Sequence, residues 1–129
     1  MRLYVPLLVD ELTDVLATGR LPGRSAFGAT QALRSLDPGA DEEDLEFEAM
    51  CQALDAARDL GAGRRVVAAA DGPDRAETGS AARLVGETPV PLADVVSFHV
   101  EEHEGEVGDG YDDLLWYDVT ELGHLAAAR

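Results

Sequence analysis

One long helix, predicted at residues 41–60 (DEEDLEFEAMCQALDAARDL), constrains the fold more than any other stretch of this sequence. Asp41 is a favourable N-cap, and Asp44 stands where the acid of a capping box reaches back to it. Apolar residues follow at intervals of three and four, the spacing of a helix that buries much of its surface. They form two adjacent rows, one of Leu45, Ala49, Ala53, Ala56 and Leu60 and the other of Phe47, Met50, Cys51, Leu54 and Ala57.

The polar residues of this helix form only a narrow stripe, made of Glu48, Gln52, Asp55 and Asp59. A helix exposed along so thin a line is covered on most sides, so we expect it to pack against a sheet. Gly61 and Gly63 then end it, because glycine accepts the left-handed conformation found at helix C-termini. They do not indicate a phosphate-binding loop, because such loops run from a strand into a helix.

Shorter patterns predict the remaining elements. Strands are expected at residues 2–5, closed by Pro6, and at 25–29, 65–70, 82–86, 94–101 and 114–117. Helices are expected at 8–18, 30–36 and from Asp118 or Thr120 to 128. The segment DVVSFHVE alternates with a period of two and is the clearest strand. This irregular mixture predicts an α+β (or α/β) fold for residues 1–129: a single-domain two-layer sandwich, with a mixed sheet packed on the long central helix.

Composition limits the classes of function. The net charge is −16, from 26 acidic and 10 basic residues, and we predict no nucleic-acid partner because binding phosphates needs a basic surface. No apolar run approaches the ~18 residues of a membrane span, and no signal peptide is recognised. A single cysteine excludes an internal disulfide. We therefore expect a soluble, cytoplasmic protein with no membrane association.

The chain has no Lys, Ile or Asn, a bias typical of GC-rich genomes. Its segments MRLYVP, RLPGRSAFGATQALR, RRVVAAAD, VPLADVVSFHVEE and DLLWYDVTEL resemble one family. That family consists of short acidic proteins of unknown function from high-GC actinobacteria. The resemblance covers most of the chain, and it implies neither an activity nor catalytic residues.

The letters HVEEH at residues 99–103 match the H-x-x-E-H pattern of one class of zinc peptidases. That chemistry needs both histidines on one face of a helix. The alternation here predicts a strand instead, which puts His99, Glu101 and His103 on one side and Glu102 on the other. We predict no tight zinc site and no cofactor. A weak divalent-metal site on that strand face is the alternative, and solvated side chains are the simpler explanation.

Two acidic segments, residues 37–48 and 101–113, are candidate surfaces for a protein partner with a basic surface. The second segment offers oxygen ligands for Ca²⁺ or Mg²⁺ but lacks the spacing of an EF-hand. Solubility, or adaptation to a salty cytoplasm, also explains the charge. The predicted partner-binding residues are Glu42, Glu43, Glu46, Glu101 and Glu102.

We interpret the chain as a non-enzymatic protein-binding or regulatory module. No catalytic residue is assigned, because Cys51 is predicted to be buried and the serines lie in no nucleophile elbow. The alternative is a small enzyme or ligand-binding domain, in which an arginine cluster holds an anion. Its predicted ligand-binding residues are Arg58, Arg64, Arg65, His99 and Trp116. A homodimer is a further alternative.

Overall fold

Four strands form one antiparallel sheet, in which each strand pairs with the next strand of the chain. The computed structural model describes residues 1–127. The strands are β1 (Arg2–Leu8), β2 (Arg65–Asp71), β3 (Val95–Val100) and β4 (Leu115–Asp118). The α-helices of the described residues are α1 (Leu12–Thr18), α2 (Gln31–Leu36), α3 (Glu42–Ala57) and α4 (Leu122–Ala127).

The long helix predicted at residues 41–60 is α3, continued by a 3-10 turn at Arg58–Leu60. Its predicted capping box is confirmed, since the Asp44 N–H donates to the Asp41 carboxylate at 2.9 Å and the Asp41 N–H donates to the Asp44 carboxylate. The chain then turns at Gly61 and Gly63, whose φ angles of 144° and 109° suit glycine. The helix packs on β1 and β2 rather than over β3, so half of this face of the sheet stays open.

Helices pack on both faces of the sheet, although the α3 face is covered mainly over β1 and β2. The α3 face contributes Tyr4, Val67 and Ala69 to one core cluster. The other face, with Val5, Ala68 and Phe98, shares a second core cluster with buried leucine and valine side chains of α1 and α4. The α+β prediction is confirmed, but the sheet is antiparallel throughout rather than mixed. The two-layer expectation is also corrected, because the short helices α1 and α4 add a third layer.

The first strand extends beyond its predicted end at Pro6. The N–H of Tyr4 donates to the carbonyl of Phe27, and the N–H of Leu8 donates to the side chain of Glu11, so both point away from β2. Pro6 is two residues from each of them, so its backbone nitrogen also points away from β2. The N–H that proline lacks would therefore not have bonded to β2. The predicted strands at 25–29 and 82–86 are only isolated bridges.

Candidate functional site

A groove of about 320 Å³ lies on the α3 face, where the helix leaves β3 and β4 uncovered. We call it the β4 groove. Its apolar lining includes Phe47, Met50, Val96 and Trp116, with the half-buried His99 among them, and Glu43 and Glu46 of α3 form its acidic wall. The groove exists because a single helix is too narrow to cover four strands, and α3 lies over β1 and β2.

Two large aromatic side chains of the groove are exposed. Trp116 on β4 is 60% accessible to solvent, and Phe47 on α3 is 43% accessible. Trp116 lies opposite His99 in the sheet. Aromatic side chains that share one concave surface, next to charged residues, are typical of interaction sites rather than of ordinary protein surface.

Ser97 and His99 form a polar pair on the groove floor, with Ser97 Oγ 3.1 Å from His99 Nε2. Burial lowers the pKa of His99, and the positive charge of Arg2 lowers it further, so the neutral imidazole can bond the hydroxyl. Sequence reasoning missed this pair, although a period of two puts both residues on one face. Ser97 is only 3% exposed, and in residues 1–127 no carboxylate bonds the His99 ring. Because a catalytic triad needs an accessible nucleophile and such a carboxylate, we interpret the pair as structural.

A buried ion pair lies at the other end of α3. The Arg65 side chain is fully buried, and the Glu101 side chain is 3% exposed. Arg65 Nη2 donates to Glu101 Oε1 at 2.6 Å, and the backbone N–H of Arg65 donates to Glu101 Oε2 at 2.7 Å. Arg65 Nη2 also donates to the carbonyl of Asp109 at 3.0 Å. The pair therefore ties the start of β2 to the loop at residues 101–113.

Further bonds hold the same loop to the end of α3. The Arg58 guanidinium donates to the carbonyl oxygens of Gly63 and Gly105, the second of which belongs to the loop. The Tyr111 hydroxyl donates to the Asp55 carboxylate at 2.8 Å. The guanidinium groups at this end of α3 are therefore largely bonded to the protein itself and are not displayed for an anion.

The structure does not bring together the five residues predicted for a ligand pocket. His99 and Trp116 line the β4 groove, whereas Arg58 and Arg65 belong to the buried network. Arg64 is half-buried, with Nη1 3.4 Å from the carbonyl of Glu101.

The predicted acidic surface is divided as well. Glu43 and Glu46 line the groove, and Glu42 is exposed and paired with Arg34 at 2.7 Å. Glu102 is exposed. The expectation that Glu101 belongs to an exposed surface is corrected, because its carboxylate is buried against Arg65.

The structure adds two observations on chemistry. Within residues 1–127, no group of three His, Cys, Asp or Glu side chains is arranged to hold a metal ion. β3 ends at Val100, so His99 and His103 do not continue along one strand face.

Cys51 is buried, and burial, together with the negative charges of Glu48 and Asp55, raises the pKa of its thiol to about 12. A thiol in that state is a poor nucleophile.

The fold and the groove define a class: an acidic α+β protein whose antiparallel sheet carries helices on both faces and is left partly uncovered over β4. The sequence model of a family of unknown function, DUF6912, matches residues 1–126, and the chain belongs to that family. The predicted resemblance to an uncharacterised family is thus confirmed, and the actinobacterial origin stays a prediction. Comparisons with curated proteins and with solved structures gave no match. In residues 1–127, no helix combines the length and apolarity needed to cross a membrane.

Proposed function

We propose that this protein is a non-enzymatic protein-binding module and that the β4 groove is its binding surface. The observation that carries the proposal is the exposure of Trp116 in the same groove as Phe47, over the open half of the sheet. Trp and other large side chains supply most of the energy of protein interfaces when a partner removes them from water.

The charge around the groove favours a basic partner. Glu43 and Glu46 stand on its α3 wall, and the whole chain carries a net charge of −16. Arg2 also lines the groove, but it is paired with Asp71 at 2.8 Å. Such a field attracts Lys- and Arg-containing segments and raises their association rate. The expected ligand therefore combines a large apolar side chain, which contacts Trp116, with neighbouring basic residues.

An enzymatic or anion-binding role has less support. Arg58 and Arg65, which would hold an anion, are bonded to Glu101 and to backbone carbonyls. Ser97, the hydroxyl next to an imidazole, is buried. Neither set of residues offers a free reactive group to a substrate.

The first test is a peptide-display selection on the immobilised protein at low ionic strength. It is expected to enrich peptides with a large apolar residue flanked by Arg or Lys. Trp116→Ala should weaken their binding by about 30-fold or more, the effect of an interface hot spot. Leu36→Ala is the control, because Leu36 is 74% exposed on α2, outside the groove. If no peptide is enriched, or if Trp116→Ala binds as tightly as the wild type, the proposal is overturned.

A second test separates charge from shape. The double variant Glu43→Gln and Glu46→Gln should lower the association rate of the selected peptides about 10-fold at low salt. The difference should shrink at high salt, because salt screens exposed charges beyond about 8 Å at physiological ionic strength. Glu87→Gln with Glu106→Gln is the matched control, since it removes the same charge from exposed positions outside the groove. If both double variants lose association rate equally, the net charge of the chain determines the rate, and the two groove acids have no specific role.

A further inference from the structure

The outer edge of β4 is open. β4 is the last strand in the sheet order, and no other segment within residues 1–127 pairs with its outer side. The N–H of Asp118 donates to Glu121 Oε1 at 3.1 Å rather than to β3. Alternate residues of a strand point their backbone groups to the same side. The N–H and C=O of Trp116 therefore also point outward, away from β3. The same residue contributes its side chain to the groove.

We propose, resting on the binding function proposed above, that the partner binds as an extended segment that pairs with the outer edge of β4. A strand in that position places every second side chain on the α3 face of the sheet. One of these side chains would contact Trp116. In strand addition of this kind, main-chain hydrogen bonds supply affinity, and pockets for alternate side chains supply specificity.

The acids around β4 decide what kind of segment fits. Asp112 and Asp113 precede the strand, and Asp118 and Glu121 follow it. If two copies of this chain paired antiparallel through Trp116, the acids before β4 in one copy would be diagonal neighbours, two residues from direct opposition, of the acids after β4 in the other. Like charges across a strand pair are destabilising, and each copy also carries a net charge of −16. A segment with Lys or Arg on both sides of a large apolar residue meets opposite charges instead, so the occupant we propose is a basic partner segment.

Hydrogen exchange of individual amides tests this pairing with the tightest peptide from the selection as the probe. In the protein saturated with peptide, exchange of the Trp116 amide should slow by about 10-fold or more, because its N–H becomes hydrogen-bonded. The Tyr117 amide is the internal control, since it points toward β3 and should change little. In the peptide, N-methylation of every second amide should abolish most of the binding, and methylation of the intervening amides should leave it within about twofold.

The possible failures are distinct. If the peptide still requires the Trp116 side chain but the Trp116 amide exchanges as in the free protein, the groove binds its partner without strand pairing, and only this inference is overturned. If no peptide binds, both proposals are overturned. A dimer of the peptide-free protein in sedimentation that Trp116→Ala dissociates would show that the edge is occupied by a second copy, and would also overturn the inference.

Discussion

Replacing Glu101 with alanine is expected to destabilise the protein by about 3–5 kcal/mol, although the residue lies outside every helix and strand. The substitution removes the nearer of the two carboxylates that contact the fully buried guanidinium of Arg65, the other being the more distant Asp55. It also removes the acceptor of the Arg65 backbone N–H. Breaking a buried pair costs more than the intact pair contributes, because the Arg65 guanidinium stays buried and the Asp55 carboxylate, 3.8 Å from Nη1, does not replace the two lost hydrogen bonds.

Urea unfolding of Glu101→Ala and of Glu102→Ala measures this effect. Glu102 is the matched control, because it is the next residue in the chain and is exposed. Its substitution should change the free energy of unfolding by less than about 0.5 kcal/mol. Equal effects of the two substitutions would contradict a structural role for the Arg65–Glu101 pair.

The same pair predicts a specific dependence on pH. Burial alone would raise the pKa of Glu101, but the hydrogen bonds and charge of Arg65 outweigh it, so the pKa is lowered. The native state then favours the ionised form more than the unfolded chain does. This contribution to stability is complete above the ordinary pKa of Glu, about 4.3, and is lost as the pH falls through the lower native value. The stability difference between wild type and Glu101→Gln should therefore be constant near neutral pH and shrink in acid.

This network also links stability to the proposed binding surface. The loop at residues 101–113 leads from β3 to β4, and Arg65, Arg58 and Asp55 hold it through Glu101, Gly105 and Tyr111 respectively. Because β4 is an edge strand whose one pairing partner within residues 1–127 is β3, the loop restricts where β4 can lie. We infer that the buried pair supports the groove indirectly, by fixing the strand that carries Trp116.

The sequence patterns that predicted elements correctly involve residues only a few positions apart. The cap at Asp41, the helical spacing up to residue 60 and the alternation of β3 each depend on residues a few positions apart, and all three are found. The extension of β1 through Pro6 depends on its place at the sheet edge, which is a tertiary property. The third layer was missed for a related reason, because α1 and α4 are too short to show which face of the sheet they cover.

The candidate site was predicted only in part. Charge and aromatic content drew attention to Glu43, Glu46 and Trp116, which line one groove. The role of Glu101 was missed because its partner is 36 residues away in the sequence. A signal was nevertheless present: Arg65 begins one apolar strand and Glu101 follows another, and an antiparallel pairing of those strands places the two residues side by side.

The second large effect is expected for Leu54→Ala, which should cost about 2–5 kcal/mol of stability. Leu54 lies on the inner side of α3 with no exposed surface, in the cluster that contains Tyr4 and Val67 of the sheet. The cost exceeds that of the lost apolar area, because the truncated side chain leaves a cavity that the helix and sheet fill only partly. Urea unfolding measures the loss, and a change below about 0.5 kcal/mol, the range of surface substitutions, would contradict the packing of α3 on β1 and β2.

Phe47→Ala is the control on the same helix, and comparison of the two variants separates folding from binding. Phe47 is 43% exposed and lines the groove, so its truncation should cost less stability than that of Leu54. Selected peptides should bind folded Leu54→Ala nearly as tightly as the wild type and bind Phe47→Ala more weakly. The opposite ranking in peptide affinity would mean that the β4 groove is not the binding surface, because a core substitution distant from the peptide would then matter more than one in contact with it.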